Sequence, residues 1–191
     1  MSSVRKAAVV INGYPSSGKD TACRYVIQHL KRKGWRGNTI SSVDPVRNML
    51  RSMGVPVDNK TQKIRDLMAE VQFALNRYEW FPIQMSAGQV TSWLSEENTP
   101  GLCFVHIRET GAITRFRALL ADTQIETYTL FVDRKEAARG DFTNAADREV
   151  ETVLYDVVID NNTTMDDLHD RCARFAERIA EGPITGGIRF V

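Results

Sequence analysis

The sequence predicts an α/β domain of three layers, in which helices cover both faces of a parallel sheet. Short apolar runs rich in β-branched residues alternate with segments whose apolar residues recur every three or four positions. Crossovers through helices between such strands make the sheet parallel. The 191 residues are enough for one domain with a buried core and too few for two ordinary domains. We therefore expect a single domain over residues 1–191.

Five apolar runs are the predicted strands. The first, residues 7–11, reads AAVVI and is continuously apolar, as expected of a strand that is buried on both faces. Helices are predicted where apolar side chains share one face, most clearly from Ile64 to Tyr78. The glycine-rich tail after Gly182 is expected to be irregular. The other predicted strands are residues 38–43, 102–107, 127–132 and 153–159, and the other helices start at Lys19 or lie near residues 90–94, 113–120 and 165–179.

Two connections between strands are not needed for such a core. Residues 44–100 join the second and third strands and are predicted to be helical, whereas residues 134–148 join the fourth and fifth and show no clear period. Both connections leave the carboxyl ends of strands, where ligands bind in open α/β sheets. We expect both segments to lie outside the core and to contact ligands.

The composition is that of an ordinary globular protein, with 42% apolar residues, 26% charged residues and a net charge of +1. This balance provides no overall basic field for nucleic acid, and no apolar run is long enough to span a membrane. The three cysteines, Cys23, Cys103 and Cys172, include no CxxC pair, which favours reduced thiols. We expect a cytoplasmic, unprocessed protein that binds neither nucleic acid nor a membrane.

One motif indicates a ligand. Residues 13–21 read GYPSSGKDT and match the GxxxxGK pattern of a phosphate-binding loop between a buried strand and a helix. Glycines let the backbone curl so that successive N–H groups point at phosphate oxygens. The helix that begins at Lys19 adds the positive end of its dipole, and the ammonium adds a full charge. The predicted nucleotide-binding residues of this loop are Gly13, Ser16, Ser17, Gly18, Lys19, Asp20 and Thr21.

Asp20 stands where this pattern has Ser or Thr, whose hydroxyl normally ligates magnesium. A carboxylate also ligates magnesium when the ion lies between it and the phosphates. Alternatively, Thr21 supplies the hydroxyl and Asp20 only begins the helix, where the dipole favours a carboxylate. Asp20 is therefore a candidate metal ligand, with the second interpretation left open.

Several segments resemble known proteins. Gly18-Lys19-Asp20-Thr21 resembles the GKDT loop of phage deoxynucleoside monophosphate kinases and the GKD loop of animal-type phosphomevalonate kinases. Shorter likenesses follow in the same order, up to about Ile179. They are Asp44-Pro45-Val46-Arg47, residues 105–109 with Ile113 and Phe116, the lid residues Arg139, Gly140, Phe142, Thr143 and Asp147, and residues 155–161.

The resemblance implies a kinase of the nucleoside monophosphate kinase type that uses ATP and Mg²⁺, with a P-loop fold and strand order 2-3-1-4-5. Residues 44–100 then cover a phosphorylated acceptor, and residues 134–148 form a lid over ATP. Two residues depart from the family pattern, because His106 replaces an acid and Glu109 replaces an arginine. The acid at that strand end usually holds magnesium through water, so the departures bear on metal binding and on activity.

Phosphoryl transfer requires positive charge at the carboxyl ends of strands, where Arg108 and Arg134 are predicted to lie. Arginine suits phosphate because its fork donates two parallel hydrogen bonds. Asn161 is expected either on the adenine side of ATP or in an ordinary turn. An acceptor phosphate is mostly ionised near pH 7, so His106 need not act as a base. The predicted transfer residues are Lys19, Arg108, Arg134 and Arg139, and the predicted acceptor contacts are Asp44, Arg47, Arg65 and Arg108.

Three functions are compatible with these residues. The first is a kinase for a (deoxy)nucleoside monophosphate, and the second transfers phosphate to a non-nucleotide phosphate such as phosphomevalonate. The third is a nucleotide-binding regulatory module without turnover, which His106 and Glu109 suggest. The expected partners are ATP and a small phosphorylated substrate, and a homodimer is left open.

Overall fold

The computed structural model describes residues 4–59, 61–137 and 153–191. In this part of the chain, six strands form one sheet, and every pairing between neighbours is parallel. The strands are β1 (Lys6–Asn12), β2 (Arg36–Ser41), β3 (Gly101–His106), β4 (Glu126–Asp133), β5 (Val157–Asp160) and β6 (Ile188–Phe190). Their spatial order is β2-β3-β1-β4-β5-β6, which confirms the predicted parallel sheet and its order over the first five strands.

Helices cover both faces of this sheet and complete the three layers. The described helices are α1 (Lys19–Arg32), α2 (Asp44–Ser52), α3 (Gln62–Arg77), α4 (Phe81–Ser95), α5 (Thr110–Leu120) and α6 (Met165–Glu181), with a 3₁₀ turn at Val57–Asn59. Buried side chains of α1 and α6 pack on one face of the sheet, and those of α4 and α5 pack on the other. None of the helices in the described ranges is both long and apolar enough to cross a membrane.

The central strand β1 shows why the sheet is apolar throughout. Val9 and Ile11 belong to the cluster under α1 and α6, whereas Ala8 and Val10 belong to the cluster under α4 and α5. Successive side chains of a strand point to opposite faces, so a strand covered on both faces needs an apolar residue at every position. This is the physical reason for the uninterrupted AAVVI run.

The sixth strand corrects the sequence analysis, which predicted five strands and an irregular tail. Ile188 and Phe190 pair with β5, and Phe190 lies edge-on against Phe175 of α6, with ring centroids 6.1 Å apart. A strand of three residues is too short to show alternation, and the preceding glycines suggested a loop. The error arose because β6 depends on contacts with residues distant in sequence.

Two predicted strand boundaries also differ from the structure. β2 ends at Ser41, whose N–H donates a 2.9 Å hydrogen bond to the Asp44 carboxylate, so the chain turns into α2 two residues earlier than predicted. β5 begins only at Val157, although the apolar run starts at residue 153. The Asp156 carboxylate accepts the N–H of Thr129 at 2.8 Å, which replaces a strand partner at that position.

The segment 44–100 is divided between two environments. A small separate cluster joins α2 and α3 through Val46, Leu50 and Ile64, as expected of a helical insertion. In contrast, α4 packs directly on the sheet, and its Ile83 and Val90 are fully buried. The expectation that the whole segment lies outside the core is therefore wrong for α4. Periodicity within a helix shows which side is buried but not which surface covers it.

Candidate functional site

The loop between β1 and α1 has the curled backbone that its glycines predicted. Gly13 and Gly18 have φ values of 146° and 95°, and Ser16 between them has a φ of 62°. A Cβ on Gly18 would lie 2.6 Å from the side-chain nitrogen of Asn161, and one on Gly13 would lie 2.8 Å from the carbonyl oxygen of Val132. Both positions therefore require glycine for backbone conformation and for space. The loop ends at Gly18, which is the N-cap of α1.

Two buried asparagines tie this loop to the ends of neighbouring strands. Asn161, directly after β5, donates from Nδ2 to the carbonyl oxygen of Ser17 over 2.8 Å. Asn12, the last residue of β1, accepts the N–H of Gly13 at 2.9 Å and donates to the carbonyl oxygen of Arg108 at 3.2 Å. Because β1, β3 and β5 all contribute, the loop conformation is held by the sheet edge and not by the loop alone.

Lys19 points back over the loop. Its ammonium donates to the carbonyl oxygens of Gly13 and Tyr14, at 2.7 Å each. A lysine with this placement carries its charge at the mouth of the loop, beside the N-terminus of α1. Positive charge and the helix dipole act at the same point, which favours an anionic ligand there.

Ser17 provides an independent sign of a ligand. Its side chain is fully buried, and its hydroxyl has no hydrogen-bond partner among the described residues. A buried hydroxyl without a partner costs about 1–3 kcal/mol, so such groups usually find one. An oxygen-rich anion in the loop fits this requirement, because phosphate oxygens accept hydrogen bonds.

A cavity of about 290 Å³ opens beside the loop. Its lining combines the charged side chains of Lys19, Asp20 and Arg134 with the apolar side chains of Met165 and Leu168. This combination suits a ligand that carries both phosphates and an organic group. The lining residues are Ser16, Gly18, Lys19, Asp20, Thr21, Arg134, Asn161, Met165 and Leu168.

Arg134 follows β4 and lies at the same edge as the loop. Its Nη1 atom is 3.5 Å from the carbonyl oxygen of Ser16, and its Nη2 atom is 3.3 Å from a carboxylate oxygen of Glu136. The guanidinium is thus within reach of the phosphate loop, as the strand-end argument predicted. Of the other two predicted transfer arginines, Arg108 is exposed two residues after the end of β3, and Arg139 lies outside the described residues.

His106, at the end of β3, faces the helix start. Its Nε2 atom is 3.6 Å from a carboxylate oxygen of Asp20, whose side chain is 96% exposed. Burial lowers the pKa of His106 most, and the charges of Lys19 and Arg108 lower it further, against the opposing effect of Asp20 and Asp44. A lowered pKa leaves this imidazole neutral near pH 7, so it does not neutralise the Asp20 carboxylate.

The exposed Asp20 carboxylate is the described group that best fits a hard cation at the loop. Magnesium is commonly held by one or two carboxylates together with substrate phosphates and water. Within the described ranges, no group of three or more His, Cys, Asp or Glu side chains is placed to hold a metal ion. A magnesium ion at this place would need oxygen ligands besides Asp20, such as phosphates and water.

The structure places the four predicted acceptor residues differently. Asp44 begins α2 and pairs with Arg47, and it is close enough to the loop to affect the pKa of His106. Arg65 lies on the exposed side of α3, and no described contact joins it to the loop. The structure thus brings the charges of Asp44 and Arg108 close enough to act on His106, whereas Arg47 is already engaged by a carboxylate.

Asn12 is a site residue that the sequence analysis missed. It is fully buried and hydrogen-bonds both the loop and the turn after β3. A polar residue at the end of an apolar strand, directly before a glycine, was the available signal. Asn161 was expected either beside the nucleotide or in an ordinary turn. It lines the cavity, and its amide donates to the loop itself.

Comparison with solved structures identifies the class of fold. An APS kinase from Mycobacterium tuberculosis aligns over 94% of this chain and 99% of its own, at 15% sequence identity and a TM-score of 0.54. The same enzyme in complex with AMPPNP and APS aligns over 93% of this chain and 97% of its own, again at 15% identity and a TM-score of 0.54. A gluconokinase from Sinorhizobium meliloti 1021 aligns over 93% and 95%, at 14% identity and a TM-score of 0.50.

These similarities show that the chain shares the fold of these kinases. No protein-family model and no curated protein matches the sequence. The structural neighbours are an APS kinase and a gluconokinase, so they support the P-loop kinase fold and not the narrower likeness to deoxynucleoside monophosphate kinases.

Proposed function

We propose that this protein is an ATP-dependent kinase that transfers the γ-phosphoryl group to a small phosphorylated acceptor. The observation that carries the proposal is the phosphate loop, in which Lys19 and the N-terminus of α1 meet beside the cavity. The buried Ser17 hydroxyl without a described partner supports a phosphate ligand at the same place. A (deoxy)nucleoside monophosphate is the first candidate acceptor, on the resemblance of the GKDT loop and the segments that follow it.

The residues support transfer by positioning and charge. Lys19 exchanges its carbonyl partners for phosphate oxygens when the nucleotide binds, because a charged acceptor binds an ammonium more strongly than a neutral carbonyl does. Arg134 approaches the loop from β4, and the exposed Arg108, just beyond β3, is the proposed donor to the acceptor. Such donors stabilise the negative charge that spreads over the transferred group.

No described side chain needs to act as a base. The acceptor phosphate is mostly ionised near neutral pH and can attack without losing a proton first. The lowered pKa of His106 would allow it to accept a proton only weakly, which suits a positioning contact to Asp20. Magnesium, when bound, neutralises phosphate charge, and the Asp20 carboxylate is the side chain placed to hold it.

Specific observations also support the two alternative functions. One structural neighbour is named a gluconokinase, whose name indicates a sugar acid as acceptor, so a non-nucleotide acceptor fits this fold as well. A nucleotide-binding module without turnover is favoured by His106 and Glu109, which replace the acid and the arginine of the resembling families. Residues 134–148 are proposed as the lid, and only residues 134–137 of them are described.

The test is a screen for ADP formation from ATP and magnesium. Nucleoside monophosphates, phosphomevalonate and other small phosphorylated metabolites are each supplied as acceptor. Lys19→Ala is the control, and it should reduce acceptor-dependent turnover by at least a few hundredfold, because the lost charge contributes several kcal/mol in such sites. Lys31→Ala, which removes an exposed lysine from the far end of α1, is the matched variant and should keep full turnover.

The outcomes separate the three functions. ADP formation only with a nucleoside monophosphate supports the first candidate, and ADP formation only with another phosphate supports the second. ATP binding without turnover in every reaction supports the binding module. Equal turnover in folded Lys19→Ala and wild-type protein would show that the loop has no catalytic role.

A further inference from the structure

Two histidines meet away from the phosphate loop, in the seam between α1 and α6. His29 of α1 and His169 of α6 lie with their Nε2 atoms 3.3 Å apart. Their ring centroids are 4.8 Å apart and the rings are tilted by 52°, so the nitrogens converge and the rings do not stack. Both side chains are half-buried, and neither takes part in the proposed function.

The separation of the two nitrogens matches a known ligand geometry. A tetrahedral zinc ion with bonds of about 2.0–2.1 Å places two of its nitrogen ligands about 3.3–3.4 Å apart. The distance of 3.3 Å between these Nε2 atoms falls there. It lies just beyond the range of about 2.7–3.2 Å that is usual for hydrogen bonds from N–H groups. The two nitrogens are therefore spaced as ligands of one metal ion would be, and they lie at the long end of hydrogen-bond distances.

Two neighbours contact the ring of His169. Its Nδ1 atom lies 3.5 Å from a carboxylate oxygen of Asp170, which places a negative charge beside the ring. Tyr25 packs edge-on against the same ring, with centroids 5.0 Å apart, and restricts its orientation. Metal-binding histidines commonly have such a partner on the second nitrogen.

The charged side chains near His29 are of both signs. Arg32 is positive, whereas Glu177 and Asp170 are negative, so the two carboxylates offset the charge of Arg32 towards a bound cation.

We propose that His29 and His169 form a binding site for one divalent transition-metal ion of the zinc, nickel or copper class, with water in the remaining positions. Imidazole nitrogen favours these ions, whereas magnesium prefers oxygen ligands. The ion would cross-link α1 to α6. Both helices border the phosphate loop, because α1 begins at Lys19 and α6 follows Asn161, which hydrogen-bonds Ser17. The site is independent of the proposed kinase activity, and the two can fail separately.

The test is a calorimetric titration of the full chain, freed of metal, with zinc chloride. The expected result is one zinc ion per chain, with affinity at least tenfold lower in His29→Gln and in His169→Gln. Asp170→Asn should lower the affinity about tenfold, as other losses of a partner to a metal-bound histidine do. Gln28→Ala, next to His29 on the exposed side of α1, is the matched control and should bind zinc like the wild type.

A second measurement does not depend on variants. Copper(II) bound to the wild-type chain should give an electron paramagnetic resonance spectrum with couplings from two imidazole nitrogens. The chain has three histidines, so zinc affinity that persists in the double variant His29→Gln/His169→Gln would place the ion elsewhere, as at His106, and would overturn the proposal. Failure of the wild-type chain to bind zinc at millimolar concentration would also overturn it and leave the pair as a weak hydrogen bond.

Discussion

The side-chain amide of Asn161 donates a hydrogen bond of 2.8 Å to the carbonyl oxygen of Ser17, 144 positions earlier in the chain. This bond attaches the phosphate loop to the turn after β5. The same amide nitrogen lies 2.6 Å from the position that a Cβ of Gly18 would occupy. The conformation of the phosphate loop therefore depends on which side chain stands at position 161.

We expect Asn161→Ala to weaken ATP binding without unfolding the protein. The substitution leaves the buried carbonyl oxygen of Ser17 unpaired, which costs about 1–3 kcal/mol. If most of that cost falls on the loop, the dissociation constant for ATP rises about 5–30-fold. Titration calorimetry with ATP and magnesium measures it.

Asn162→Ala is the matched control for that prediction. Asn162 is exposed, and its amide nitrogen bonds to the carbonyl oxygen of Asp133, away from the phosphate loop. Its loss should change ATP affinity less than twofold. A similar loss of affinity in both variants would show that the turn as a whole matters and that the Ser17 contact does not.

Gly18→Ala should abolish measurable ATP binding. The added Cβ meets Asn161 at 2.6 Å, and a φ of 95° is costly for a residue with a side chain, by about 1–2 kcal/mol. Gly34→Ala provides the comparison, because Gly34 also has a positive φ, of 78°, but a Cβ added there would have no atom within 4 Å. It should lower the melting temperature and leave ATP affinity unchanged. ATP affinity that survives in Gly18→Ala would contradict the steric argument.

Magnesium titrations can distinguish the two interpretations of Asp20. If its carboxylate holds the ion, Asp20→Asn should strongly reduce magnesium-dependent turnover, because a charge that neutralises the metal is lost. If Asp20 only begins α1, the same change should be nearly silent, since the dipole contributes only about 0.3–1 kcal/mol. His106→Asp should lower the magnesium requirement by restoring the acid of the family pattern. Equal magnesium dependence in all three proteins would exclude Asp20 as the main ligand.

The stability of the protein should fall as the pH decreases below about 6.5, the usual pKa of histidine. The pKa of His106 is lowered in the folded state, so the unfolded chain takes up this proton first. The free energy of unfolding therefore decreases between about pH 6.5 and the folded pKa. His29 has a lowered pKa as well and contributes in the same direction.

Urea unfolding between about pH 7 and pH 5, with a chelator present, measures this dependence. His106→Asn should flatten the curve relative to the wild type, and the remaining slope should come from His29. Glu126 and Asp160, whose pKa values are lowered from 4.5 and 3.8, affect stability only at lower pH. A curve with the same slope in His106→Asn would show that His106 titrates normally in the folded protein.

The parts of the site that could be predicted from sequence are those fixed by local chemistry. Gly13, Gly18 and Lys19 fall within one short motif, and the strand before it and the helix after it are visible in periodicity. The order of the first five strands came from family resemblance and is confirmed. These features depend on neighbours in sequence or on a motif of known geometry.

The parts that could not be predicted depend on contacts between distant segments. Asn12 hydrogen-bonds the carbonyl oxygen of Arg108, and Asn161 hydrogen-bonds that of Ser17. These residues come together only when the strands pair in the folded sheet. The packing of α4 on the sheet is another example, because an apolar helix face does not identify the surface that covers it. The pairing of β6 likewise involves only three residues, which carry too little pattern to recognise.

The short strand β6 also affects whether the sheet can pair with a strand of another copy of the chain. β5 contains Val157 and Ile159, and without β6 its unpaired N–H and C=O groups would form an open edge able to template association. β6 covers this edge, and the edge strand that it forms is only three residues long. Arg189, its middle residue, pairs with Asp133 and Asp160. A short edge with a charge at its centre is poorly suited to recruit a further strand. The final residues therefore protect the sheet against aggregation.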